Sequence, residues 1–142
     1  MRDRMRLLCI VLATCGIQAA VAAERVVVRD GMSYTSGGIG VDSQERLNAR
    51  SGEFNLKLIF TLVEGNYLAD VSVEIKDAAG RKLIEHNSDG PFFLAKLPAG
   101  TYAVTTLYEG KPQTRSVKVG TSQRVEYFRW PSNPADDLAG VR

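Results

Sequence analysis

Seven short runs dominate the chain after residue 54: NLKLIFTL, DVSVEIKD, RKLIEH, PFFLAKL, TYAVTTLY, TRSVKV and RVEYFRW. Each is about 5 to 9 residues long, and the stretches between them hold Gly, Pro, Asp or Asn. Apolar runs of this length, bounded by turn formers, are strands rather than helices. DVSVEIKD alternates, with Val71, Val73 and Ile75 on one face and Ser72, Glu74 and Lys76 on the other. NLKLIFTL sets Leu56, Leu58, Phe60 and Leu62 on one face and Ile59 on the other. No crossover helix fits between the runs, and parallel neighbours in a sheet need one. The expected fold class is therefore all-β: an antiparallel seven-stranded β-sandwich.

The chain before residue 54 reads differently. MRDRMR carries three arginines, and the apolar stretch 7–23 ends in small side chains. A basic start, an apolar centre and an Ala-x-Ala-like end predict a signal peptide over residues 1–23, cleaved after Ala22 or Ala23. An uncleaved anchor and acylation at Cys15 are the rival readings. Export predicts a periplasmic or secreted protein with no transmembrane segment in the mature chain. Both cysteines, Cys9 and Cys15, fall in the leader, so no disulfide is expected to brace the domain. Taking three Arg and one Asp from 18 basic and 16 acidic residues leaves 15 of each. A neutral chain lacks the basic surface that nucleic-acid binding requires, and that function class is set aside.

Residues 24–53 are expected to form an N-terminal extension. RVVVR reads as a short strand, and Gly37, Gly38 and Gly40 as a flexible loop. In DSQERLNARSG, Asp42 with Glu45 forms a capping-box pattern and Gly52 suits a left-handed C-terminal cap. One short helix follows, anchored by Leu47. Residues 54–130 form the sandwich, and 131–142, with two prolines and little apolar content, a loose tail.

The stretch SDGPFFLAKLPAGTY, residues 88–102, is the densest in turn chemistry. Asp89-Gly90 predicts a tight turn built on the glycine's freedom at positive φ. Pro91 opens the next strand, and Pro98-Ala99-Gly100 reverses it. Tyr102 follows at the corner. By analogy with immunoglobulin-type sandwiches, its ring is expected inside with its hydroxyl returned to upstream backbone.

On these residues the chain resembles the carboxypeptidase regulatory-like domains. Leu68-Ala69-Asp70-Val71, Asp89-Gly90 with Phe92, Leu97-Pro98-Ala99-Gly100-Thr101-Tyr102 and Gly110 carry the likeness, over about residues 55–120. It implies a transthyretin-like, prealbumin-type sandwich in a small exported bacterial protein. Asp89, Gly90, Leu97, Pro98, Gly100 and Tyr102 would then be structural rather than catalytic.

The family's name invites a test for chemistry. A zinc carboxypeptidase needs at least two histidines, and this chain has one, His86. The same shortage sets aside the purine-pathway hydrolases and the intradiol dioxygenases of related fold. His86 lies in IEHNSDG and is expected to be a solvated residue near a turn, since neighbours on one strand do not converge into a Ser-His-Asp triad. Asp77 and Glu85 are spaced too widely for a calcium loop. SGGIG, before the helix, lacks the Lys-Ser/Thr of a phosphate loop. No cofactor and no metal are expected, and no enzyme activity.

What remains is binding. The expected function is protein–protein contact in the cell envelope through an added strand, which requires an exposed, apolar and unguarded sheet edge. The alternative is a carbohydrate or small molecule held on Tyr67, Tyr108, Tyr127 and Trp130, which requires two or more of these rings around one cleft. Alternation along EYFRW places one of Tyr127 and Phe128 outward.

Overall fold

The computed structural model describes residues 24–132. The expected signal peptide, with Ala22, Ala23, Cys9 and Cys15, and the chain from residue 133 lie outside the described residues. Nine strands form: β1 (Val27–Arg29), β2 (Met32–Gly37), β3 (Leu56–Leu62), β4 (Val71–Lys76), β5 (Lys82–Ser88), β6 (Phe92–Lys96), β7 (Gly100–Tyr108), β8 (Lys111–Val119) and β9 (Arg124–Trp130). A helix, α1 (Val41–Arg50), precedes a 3-10 turn over Ser51–Glu53. One sheet has the order β1-β2-β6-β3-β9 and the other β5-β4-β7-β8. No described helix is long and apolar enough to cross a membrane.

Alternation sorts the side chains between the layers. Val71, Val73 and Ile75 of β4 are fully buried, and Leu56, Leu58, Phe60, Phe93, Ala95, Tyr102 and Val104 join them in one core between the sheets. Part of the other face of the five-stranded sheet is also buried. Ile59, Phe92 and Leu94 pack there under Leu47 and Phe54 as a second cluster. Strands covered on both faces lose their alternation, which is why LKLIF and PFFLAKL read as near-continuous apolar runs. The molecule is thus three layers deep at β3 and β6, with α1 outermost.

Two strands more than the seven expected are present, and both come from the extension. β1 is the short strand expected in RVVVR. β2 occupies ground expected to be loop, pairing antiparallel with β6 from Ser33↔Lys96 to Gly37↔Phe92. Gly37 therefore closes a strand and does not belong to a flexible loop. The sandwich is also not wholly antiparallel: β9 runs parallel to β3, from Leu56↔Arg124 to Leu62↔Trp130. Residues 120–123 carry the chain from β8 to the far edge of the other sheet, so β9 arrives in the direction of β3 without a crossover helix. Asn55 fixes that arrival, its carbonyl accepting from Arg124 N (2.9 Å).

Helix capping differs from the expected pattern. Gly40 takes the N-cap position and no side chain caps the helix. Asp42 lies inside the first turn, where its charge complements the helix dipole. The loop is tied instead by Ser43 and Gln44. Gly38 N donates to Ser43 Oγ (2.9 Å), and Gln44 Nε2 donates to Gly38 O (3.0 Å). Gly52 sits within the 3-10 turn without a positive φ, so it is not a left-handed cap. Leu47 is the helix's anchor, at 2% exposure.

Candidate binding surfaces

The corner at residues 88–102 is built for shape. Tyr102 Oη donates to Pro98 O at 2.5 Å, and burial pushes its phenol pKa up, so the group stays a neutral donor. Leu97 is buried in the core, and the Asn55 side chain clamps its backbone from both sides: Leu97 N to Asn55 Oδ1 (2.9 Å) and Asn55 Nδ2 to Leu97 O (2.7 Å). Asp89 N donates to Ser36 Oγ (3.0 Å), pinning the turn to β2. Gly90 serves another purpose than the expected positive φ. It has none, and a Cβ placed there would stand 2.3 Å from Gly37 O. The need is for close approach of two backbones. Gly100 opens β7, likewise without a positive φ.

The four aromatic candidates separate into two pairs. Trp130 is 1% exposed, donates from Nε1 to Lys111 O (3.0 Å) and packs on Phe60 and Phe128. Tyr108 is half-buried against Trp130, with ring centroids 5.7 Å apart. Trp130 therefore offers no face to a ligand. Tyr67 (55% exposed) and Tyr127 (46%) each offer one. They line one shallow groove of about 350 Å³ with Thr61, Val63, Gly65 and Arg129. Arg129 lies over the Tyr127 ring at 5.0 Å, and Tyr67 meets buried Phe92 edge-on at 5.5 Å. Exposed Val63 and Val125 extend this surface beyond the cover of α1.

The strand edges are guarded, contrary to what strand addition requires. β1 is three residues long. β5 carries Lys82 and Glu85, ion-paired at 3.0 Å. β8 carries Lys111, Pro112 and Lys118. On β9, outward carbonyls are already taken: Gln113 Nε2 donates to Arg129 O (2.7 Å) and Arg115 Nη1 to Tyr127 O. Charge, proline, shortness and capped acceptors are the usual means of blunting an edge.

His86 is half-buried rather than solvated. Its Nε2 meets Ser36 Oγ at 2.8 Å, and its ring packs on Tyr34 (5.3 Å) and Phe93 (5.9 Å). Burial lowers its pKa below 6.5, against a smaller upward pull from Asp89. Sequence neighbours give no sign of this, because Ser36 and Tyr34 come from β2, far back along the chain. Among the described residues no three His, Cys, Asp or Glu side chains gather into a metal site.

Nothing in the local sequence marks Glu24, yet it holds the most perturbed carboxylate. Oε1 accepts from Ser43 Oγ (2.5 Å) and Arg46 Nη2 (2.9 Å), and Oε2 from Arg46 Nε (3.1 Å). The Arg46 guanidinium, helped by Ser43 and opposed by burial, draws its pKa from 4.5 to about 2. The arrangement latches the start of the described chain to α1. Compared with known proteins, the chain matches no family model and no curated protein.

Proposed function

We propose that this protein is a non-catalytic module of the exported, carboxypeptidase regulatory-like and transthyretin-like kind, acting by protein–protein contact in the cell envelope. Contact runs through a sheet face rather than an added strand. The observation that carries this reading is the exposed surface of Val63, Tyr67, Val125, Tyr127 and Arg129 on the five-stranded sheet. Tyrosine and arginine are among the residues enriched at the hot spots that carry most contact energy at interfaces. Arg129, paired with a ring and with no carboxylate among the described residues, suits a partner bearing an acidic side chain opposite it.

A second reading has its own support. Tyr67 and Tyr127 satisfy the requirement of two rings around one groove, with Thr61 and Arg129 between them, so a carbohydrate is the alternative ligand. Cross-linking in intact cells followed by mass spectrometry separates the two. The contact reading expects a stoichiometric envelope protein that is lost in a Tyr67→Ser/Tyr127→Ser variant and kept in Val28→Ser, a change at an exposed site on β1. A partner retained by the double variant, or none at all, overturns it. Oligosaccharide binding abolished by the same double variant establishes the alternative.

A further inference from the structure

The two long sides of the sandwich are closed differently. On the β8–β9 side, Trp130, Gln113 and Arg115 donate across the gap to Lys111 O, Arg129 O and Tyr127 O. On the opposite side β5 faces the β1–β2 hairpin, and the tie is at one end only, where Ser36 Oγ meets His86 Nε2 and Asp89 N. Beyond that tie the sheets part around a cleft of about 780 Å³. Sites for small organic ligands commonly enclose about 300–1,000 Å³, so this one is large enough for such a guest.

The lining has an apolar floor and a charged rim. Met32, Tyr34, Leu83, Ile84 and Tyr102 form the floor. Three cations and three carboxylates stand on the rim: Arg29, Arg81 and Lys82 against Asp30, Asp77 and Glu85. Most of the acids are already committed. Asp77 accepts from Ala79 N, Arg81 N and Arg81 Nε, and Glu85 pairs with Lys82. Asp30 keeps both oxygens free among the described residues, and Glu85 keeps Oε1. The donors are less committed. Arg29 has no partner among the described residues, and Arg81 uses only Nε of its guanidinium. A guanidinium presents five N–H groups, so although the formal charges on the rim balance, unbonded N–H groups outnumber unbonded carboxylate oxygens at this mouth.

We propose that the cleft binds a small organic anion with an apolar or aromatic body, its acid group held at the rim by Arg29 and Arg81 and its body laid on Tyr34, Leu83 and Tyr102. This site is separate from the Tyr67–Tyr127 surface and stands whether or not that surface meets a protein. Titration calorimetry with dodecanoate, below its micelle concentration, tests it, with dodecyltrimethylammonium as the cation of equal chain length. The expected result is saturable dodecanoate binding that shifts the amide resonances of Leu83 and Tyr102. The loss of a charge-assisted contact in Arg29→Gln is expected to weaken it about tenfold. Arg29 makes no side-chain bond in the free protein, so this variant keeps its fold. Arg129→Gln, in the Tyr67–Tyr127 groove, is expected to leave binding unchanged. No saturable binding, equal affinity for the cation, shifts confined to Tyr67 and Tyr127, or an unaffected Arg29→Gln each overturn the proposal.

Discussion

The Glu24 latch gives a stability prediction whose size follows from its geometry. A carboxyl drawn from 4.5 to about 2 is linked to at most about 3.4 kcal/mol of folded-state stability at neutral pH. Glu24's side chain is 12% exposed but Arg46's is 36%, so solvent screens one end of the pair. We discount the figure to about 2 kcal/mol. Because the folded pKa is depressed, this stability is full above the unfolded value of 4.5 and disappears as pH falls toward 2. Glu24→Gln is therefore expected to lose about 2 kcal/mol at pH 7, a fall in Tm of roughly 8 °C, and nothing near pH 2.

The assay is urea unfolding followed by fluorescence of Trp130, the chain's one tryptophan and a buried one. Measured in steps from pH 7 to pH 2, the wild-type and variant curves should converge. Arg46→Met provides the second corner of a double-mutant cycle. It leaves a carboxylate with only Ser43 for a partner and should cost as much or more. A Glu24→Gln loss within about 0.5 kcal/mol, the range of an ordinary surface change, would refute the reasoning. So would a loss that stays constant across the pH range, since a packing defect does not titrate.

Two further outcomes test the packing. Gly90→Ala sets a methyl 2.3 Å from the Gly37 carbonyl, and neither backbone can swing away as a flexible side chain would; we expect a loss of about 2–4 kcal/mol by urea unfolding, and a near-neutral variant would show that the two strands can part there. His86 is held neutral by burial, so the unfolded chain takes up its proton first, and stability should fall as pH drops below 6.5 toward the lower folded value. An NMR titration placing His86 at or above 6.5 would contradict this.

Much of the sandwich is legible in local sequence, because each strand announces itself by length, alternation and turn residues. All seven expected strands are present as β3 to β9. β2 has a local signal as well, one that the glycine cluster obscures. Asp30-Gly31 separates two apolar stretches, and the structure puts both residues at positive φ, 51° and 76°. That is the type I′ hairpin turn that Asp-Gly favours. Alternation also places Trp130 on the face of Phe128 rather than of Tyr127, so the pattern of EYFRW by itself argues against Trp130 as a surface ring. Other features have no local mark. Tyr67 and Tyr127 share a groove because β9 lies parallel to β3, and pairing between segments so distant in the chain leaves no trace in either. The same holds for the contact of His86 with Ser36, and for Glu24 with Arg46. Elements show through their periods, whereas sites come from non-local register.

The treatment of the edges decides between ways of making contact. An added strand needs backbone donors and acceptors in a row, and this molecule offers few. The longest exposed edge, β8, is interrupted by Pro112, whose nitrogen has no proton to give. β9 has two carbonyls occupied by Gln113 and Arg115, side chains that gain little from covering an edge meant to be used. Of the exposed apolar residues, Val63, Tyr67, Val125 and Tyr127 gather instead near β9 on the face of the five-stranded sheet, while Val28, Ile39, Val41 and Leu107 lie elsewhere. α1 covers Ile59, Phe92 and Leu94 but leaves Tyr127 and Val125 in solvent. Extending a cover over two more side chains is a small change for a helix. A surface guarded at its edges yet open on one face is better matched to side-chain recognition than to strand pairing.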